Sequence, residues 1–214
     1  MNIWLKYILI AVGGYLLGNI SSGILIAKAF GVGDIRKVGS GNAGTTNVLR
    51  NLGWLPSVLT LAGDCLKGLI AALIGKWLAG DIGLLIGGNA AVLGHDFPVF
   101  FGFKGGKGIA TNLGLILVID PMIALPITAM VLIIVGVTRY MSAGSIAACF
   151  VYPAVITIFK AGDPNYAAFV LFGFGAGILA LYQHRSNLVR LVNGQENRLD
   201  FKKITEISKK LGHK

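Results

Sequence analysis

Apolar residues in this chain come in runs too long for a water-soluble domain. Ile3 to Ala27 holds a single charge, Lys6, and several later runs are nearly as clean. Around 18 consecutive apolar residues already suggest a membrane helix, and about 20 cross the hydrocarbon. With 55% hydrophobic and only 13% charged residues, the chain falls well short of the roughly 25% charge of a soluble domain. The expected fold is all-α, a polytopic bundle in one domain spanning 1–214.

Seven apolar segments can be read: Ile3–Ala27, Trp54–Ala79, Ile82–Leu93, Ile109–Ile119, Met122–Thr138, Gly144–Phe159 and Tyr166–Tyr182. The third and fourth are short, so the alternative is five spans plus one re-entrant pair, since irregular backbone is tolerated where protein covers it. Either count is odd and puts the termini on opposite sides. Arg36, Lys37, Arg50, Lys104, Lys107, Arg139, Arg185 and Arg190 then share a side with the basic tail, 193–214. The other side keeps little beyond Lys6, Lys76 and Lys160. Loops rich in Lys and Arg stay in the cytoplasm, so the N-terminus is expected outside and the C-terminus inside. The first run has no small-residue cleavage site after it and reads as a retained helix. Cys65 and Cys149 lie inside apolar runs and read as structural thiols. Gly14/Gly18 and Gly83/Gly87 have the small-xxx-small spacing of close helix packing.

The net charge of +10 suits nucleic acid, anionic lipid or a phosphorylated substrate. Nucleic acid is excluded as a partner because no basic stretch is interleaved with aromatics. Three polar segments interrupt the grease on the basic side. Gly39-Ser-Gly-Asn-Ala-Gly-Thr-Thr-Asn-Val-Leu-Arg50 satisfies a G-x-G-x-x-G pattern but lacks the strand and sheet of a dinucleotide site. It is either a plain connection between helices or an anion loop. Gly102-Phe-Lys-Gly-Gly-Lys-Gly108 is one residue short of the Walker spacing and has Gly108 where a magnesium-binding hydroxyl belongs, so nucleotide hydrolysis is rejected. Its glycines and Lys107 at a helix start still favour phosphate. His184-Arg-Ser-Asn187 closes the last run, with His184 and Asn187 on one helical face. Together the segments offer about five cations with hydroxyls and amides, a set suited to an anion with more than one phosphate. Asp64 and Lys67, three apart inside the second run, read as a mutually neutralising pair.

Gly39–Asn47, Gly94–Thr111 and His184–Glu196 resemble the three signature motifs of the bacterial acyl-phosphate-dependent glycerol-3-phosphate acyltransferases, in the right order and with matching spans. The resemblance implies an integral inner-membrane enzyme. It would move a fatty acyl group from acyl phosphate to the 1-position of glycerol 3-phosphate, as the first step of phospholipid synthesis. It implies no metal and no cofactor; the partners would be the two substrates and membrane lipid. By the same resemblance Ser40, Asn42, Thr46, Asn47 and Arg50 of the first motif, and Lys104, Gly105, Gly106, Lys107 and Gly108 of the second, would bind substrate phosphate. His184, Asn187 and Ser145 would act on the reacting groups, and Glu196 would brace the third motif. Thr45 departs from the alanine usual in the first motif, a change between small residues. A rival reading, an organic-anion transporter, needs polar groups along a mid-membrane path and an internal repeat. Only Asp64 and Lys67 qualify, and no repeat is visible.

Overall fold

A computed structural model describes residues 1–212, all of whose regular elements are helices. Five helical stretches are long and apolar enough to cross a membrane: Ile3–Ala29, Trp54–Phe101, Pro121–Thr138, Met141–Phe159 and Tyr166–Gln183. Their outer surfaces remain apolar, with Val137 80% and Leu171 71% exposed. On helices long enough to cross a membrane, such a surface suits lipid.

The first stretch is broken. α1 (Ile3–Gly18) ends at Asn19, whose side-chain amide donates to the Tyr15 carbonyl at 2.7 Å, and α2 (Ser22–Ala29) starts anew. The break frees the Ile20 carbonyl, which accepts from the buried Lys67 ammonium at 2.7 Å. The long apolar sequence gives no sign of this break, because the partner that uses it lies 47 residues away.

A short connection follows, with a 3-10 turn at Ile35–Lys37, and then α3 (Thr45–Leu52). α4 (Trp54–Asp96) is a hairpin, not a rod. Ala79 and Gly80 leave helical geometry, Gly80 with φ +63°. The arms then fold against each other, so that Gly75 abuts Gly83 and Gly87 abuts Ala71. α1 lies along the second arm, with Gly14 against Gly87 and Gly18 against Ala91. The small-residue spacings therefore bring backbones together with almost nothing between them. α5 (Ile109–Ile119) is short and lies against both arms of α4. α6 (Pro121–Thr138), α7 (Met141–Phe159) and α8 (Tyr166–Gln183) complete the bundle, with α9 (Arg185–Val192) and α10 (Phe201–Gly212) at its polar end. Asp120 caps α6 through Met122 N–H at 2.8 Å, with Pro121 at the first helical position. The basic tail expected over 193–214 thus contains α10; residues 213–214 lie outside the described residues.

The main core lies between α4, α5, α6, α7 and α8, around Leu84, Leu85, Leu115, Ile123, Tyr152, Ile156 and Phe169. A second cluster joins Ala27, Ile35, Ala43, Val48 and Leu52 and fixes the first polar loop to α2 and α3.

Gly87 tests the close approach. A Cβ there would sit 2.5 Å from the Ala71 carbonyl oxygen and 3.2 Å from Ile10. Gly87→Leu should therefore destabilise by about 1–3 kcal/mol or more. A lower midpoint of thermal unfolding in detergent would be the readout, and an unchanged midpoint would contradict this packing.

Candidate active site

The three polar segments meet at one end of the bundle around a single cavity of about 630 Å³. Its head is lined by the first loop and α3, by the turn before α5, and by the junction of α8 with α9. Its other end runs down between α5, α6, α7 and α8, past Ile116, Ile127, Cys149 and Tyr152. The cavity is polar at the mouth and apolar inside the membrane.

Asn47 organises the first loop. Its amide nitrogen lies within 3.0 Å of the Ile35, Val38 and Asn42 carbonyls, and its oxygen accepts from Ser40 N–H at 2.9 Å and from Asn51 at 3.0 Å. The side chain is fully engaged, so its effect on the cavity is exerted through loop shape. Asn42 ties this loop to the second, donating to the Gly105 carbonyl at 3.3 Å. Ser40 and Thr46 line the mouth. α3 starts at Gly44 with no side-chain cap, so its first amides are open to an anion.

The second loop returns to the end of α4. Gly105 N–H donates to Asp96 O at 3.3 Å and Gly106 N–H to His95 O at 3.0 Å. Gly106 lies directly on the His95 ring, where any Cβ would overlap Nε2. Gly108, at φ +72°, starts α5 without a side-chain cap and leaves a second open helix start at the mouth. Lys104 stands exposed at the rim, its carbonyl bonded to Arg36 at 3.0 Å.

His95 is held from below. Lys67 Nζ reaches Asp64 Oδ1 at 3.0 Å, His95 Nδ1 at 2.7 Å and the Ile20 carbonyl at 2.7 Å. The ammonium and the imidazole both crowd about Asp64 Oδ1, which His95 Nδ1 approaches to 3.4 Å. The Asp64–Lys67 pair expected from spacing thus has a third member. The spacing of Asp64 and Lys67 gives no sign of His95, which lies 28 residues beyond Lys67; the available signal is its place just before the glycine turn. Asp96 is 2% exposed, and neither of its carboxylate oxygens has a partner among the described residues.

The third segment closes the head. The Ala180 carbonyl can only accept, so His184 carries its proton on Nδ1, 2.8 Å away, and presents Nε2 as an acceptor. Burial, and then Lys107, press its pKa down to about 4, so the imidazole is neutral at physiological pH. Lys107 donates to Asn187 Oδ1. Asn187 donates to Glu196 Oε1 at 3.0 Å, and Arg190 meets Glu196 Oε2 at 2.9 Å. Glu196, 7% exposed, therefore anchors a chain of polar contacts ending on Lys107. Burial, the largest cause, with Arg190, Arg50 and Arg185, lowers the Lys107 pKa to about 8 against the raising effect of Glu196. Arg50 donates to Asn197 O at 2.7 Å and keeps a buried Nε with no partner among the described residues. Arg50, Lys104, Lys107, Arg185 and Arg190 line the cavity against the carboxylates of Asp64, Asp96 and Glu196, an excess of positive charge that an anion relieves.

Ser145 lines the cavity but donates to Met141 O at 3.1 Å. Ser142, one turn earlier and also in the lining, is 5% exposed and has an unpartnered hydroxyl among the described residues. The i,i+3 spacing of the two serines was the signal available for it.

Comparison with known proteins agrees with this geometry. The family model for glycerol-3-phosphate acyltransferase matches residues 8–194. The chain is 42% identical to the glycerol-3-phosphate acyltransferase of Clostridioides difficile over 92% of its length and 98% of the relative's. For that of Geobacter sulfurreducens the values are 42%, 91% and 98%. It also resembles the crystal structures of PlsY (YgiH), an integral membrane glycerol 3-phosphate acyltransferase. The glycerol 3-phosphate form gives a TM-score of 0.84 at 42% identity, over 93% of this chain and 98% of that one. The lysophosphatidic acid form gives 0.80 at 40%.

The lowered pKa of Lys107 makes anion binding sensitive to pH. Its ammonium is present below about pH 8 and is lost as pH rises through that value. Phosphate affinity measured by calorimetry should fall about tenfold or more between pH 7.5 and 9.5, the size of one charge-assisted contact. Lys107→Arg should hold its affinity through that range; a wild-type affinity flat with pH would contradict the assignment.

Proposed function

The chain belongs to the glycerol-3-phosphate acyltransferase family, and on that footing we propose that it transfers a fatty acyl group from acyl phosphate to the 1-position of glycerol 3-phosphate. The observation that carries this reading is the continuity of the cavity. A head crowded with cations opens into an apolar trough among α5–α8. A donor with a phosphate head and a fatty tail fits both parts at once.

In this reading the glycerol hydroxyl oxygen attacks the acyl carbonyl carbon. The carbon–oxygen bond to phosphate breaks, lysophosphatidic acid forms, and inorganic phosphate leaves carrying the hydroxyl proton. Acyl phosphate is a mixed anhydride with a stable leaving group, so no covalent intermediate on the enzyme is required. The work is to hold two phosphates side by side and aim the hydroxyl. Arg50, Lys107 and the open starts of α3 and α5 take the phosphates, with Ser40, Thr46 and Lys104 at the rim. His184 Nε2 accepts from a glycerol hydroxyl. A group with a pKa of about 4 is a poor general base near neutrality, which favours positioning, with the phosphate taking the proton. Ser142, Ser145 and Asn187 orient the substrate, Asn187 through Lys107 and Glu196.

We place the enzyme in the bacterial inner membrane, N-terminus outside, with this head facing the cytoplasm, where Lys/Arg-rich loops stay. With Cys65 and Cys149 replaced, a cysteine at position 37, 104 or 198 should be protected from an impermeant thiol reagent in intact cells. One at position 163 should react. The reverse pattern would overturn the placement.

Purified protein given glycerol 3-phosphate and acyl phosphate should release phosphate with a chelator present. Activity confined to acyl-CoA, or abolished by the chelator, would defeat the proposal. His184→Gln should keep much of the turnover, with no limb at pH 6–7 appearing or vanishing. A limb there, lost in the variant together with about 10²–10⁴-fold of rate, would make the imidazole the base.

A further inference from the structure

α10 lies wholly beyond residues 8–194, the part of the chain that the family model matches. It is nevertheless seated on the element that carries Arg50. Asp200 begins it, its carboxylate accepting from Lys203 N–H at 3.1 Å. Leu199 and Ile204, each 2% exposed, pack with Leu49 of α3 and Val135 of α6. Leu211 packs against the cluster that holds Val48 and Leu52 of the same short helix.

A second contact is more specific. The turn between α3 and α4 is made by Gly53, at φ +80°, which has no side chain to cap α4. The cap comes instead from α10: Trp54 N–H donates to Ser208 Oγ at 3.0 Å, and that hydroxyl donates to Ile204 O at 2.9 Å. Gly53 itself lies against Ser208, so the corner has no room for a Cβ. Trp54 and Phe201 stack beside it, ring centroids 6.2 Å apart and planes 8° from parallel. One end of α3 is thereby fixed to α10.

The third contact is at the cation. The Asn197 carbonyl, three residues before Asp200, accepts from Arg50 at 2.7 Å. Leu199 N–H then ties the strand of backbone between them to the Arg139 carbonyl at 2.8 Å. One guanidinium N–H is occupied by this carbonyl, and the unpartnered Nε is left for a ligand. A guanidinium with one edge already fixed loses less freedom when the other edge binds.

We propose that the C-terminal segment from Leu199 through α10 is a clasp that positions Arg50 for the phosphate of glycerol 3-phosphate. The inference rests on the substrate assignment above. α10 does not touch substrate; it sets α3 through Leu49, Leu52 and the Ser208 cap, and it holds the Asn197 carbonyl in place beneath the guanidinium.

The test is a double-variant cycle on the otherwise intact chain, read as glycerol 3-phosphate affinity by calorimetry and as KM and kcat in the acyl phosphate assay. A chain ending at Arg198 should bind glycerol 3-phosphate about tenfold more weakly, with kcat at saturation within about twofold. Arg50→Gln should weaken binding at least as much. In the Arg50→Gln background, removing residues 199–214 should add nothing. Should the shortened chain not fold, Ser208→Ala and Ile204→Ala carry the same cycle at smaller amplitude, with Ser208→Thr restoring affinity. Additive losses in the two backgrounds, or a shortened chain with unaltered affinity, would overturn the clasp. A wild-type enzyme that binds glycerol 3-phosphate but leaves acyl phosphate intact would sink the donor assignment while the affinity cycle still decides the clasp.

Discussion

Like charges gathered at the edge of a low-dielectric slab repel one another, and everything at the polar end of this bundle is arranged around that fact. Arg50, Arg185 and Arg190 all act on Lys107 there, and Arg190 acts on Arg50, with Glu196 opposing them in both cases. Two unit charges about 4 Å apart interact by about 4 kcal/mol at an effective dielectric constant near 20. Such a set stays together only if the surrounding backbone is rigid and each cation has some partner. The partners are mostly neutral dipoles: the Asn187 amide for Lys107 and the Asn197 carbonyl for Arg50. Neutral partners hold a cation in place without cancelling its charge, so attraction for an anionic ligand is retained.

The rigidity comes from the membrane part. Backbone cannot be left unsatisfied in hydrocarbon, and glycine lets helices approach until their backbones touch. Gly14, Gly18 and Gly87 join α1 to the second arm of α4, and Gly75, Gly83 and Gly87 join the two arms to each other. That packing buries Lys67, whose ammonium then unites the break after α1, the first arm of α4 and His95 of the second arm. His95 in turn backs Gly106 in the glycine loop before α5. Helix packing and loop geometry are therefore linked through one buried lysine, and a fault in the packing would reach the mouth of the cavity.

Much of this was legible in the sequence, and the misses have physical causes. Long apolar runs identify a helical membrane protein because hydrocarbon admits so few backbone solutions. The basic loops fall at one end because burying them in lipid is costly. The break after Gly18, and the third partner of Asp64 and Lys67, were not legible, since both depend on contacts between residues far apart in sequence. Ser142 was missed because hydroxyl spacing alone does not say which of two serines is already bonded to backbone. Asn47 was read as a ligand for substrate, whereas its side chain is engaged in building the loop; a residue type suited to binding phosphate is equally suited to holding carbonyls. α10 could be read as basic and polar, but Ser208 as the cap of another helix could not.

The same partition that stabilises the fold suits the chemistry proposed for it. An acyl phosphate has one end that belongs in lipid and one that belongs in water. An enzyme that drew it fully into solution would have to strip a fatty chain from the bilayer at about 0.8 kcal/mol per methylene. Here the apolar trough lies within the bundle and the cations stand at its mouth, so in the proposed reaction the fatty chain can remain in an apolar medium while its phosphate reaches the water-soluble substrate. Ser145 is tied to its own helix backbone, and His184 is held neutral with a single ring acceptor. What the proposed reaction then requires is geometry and charge acting on a donor that is already activated.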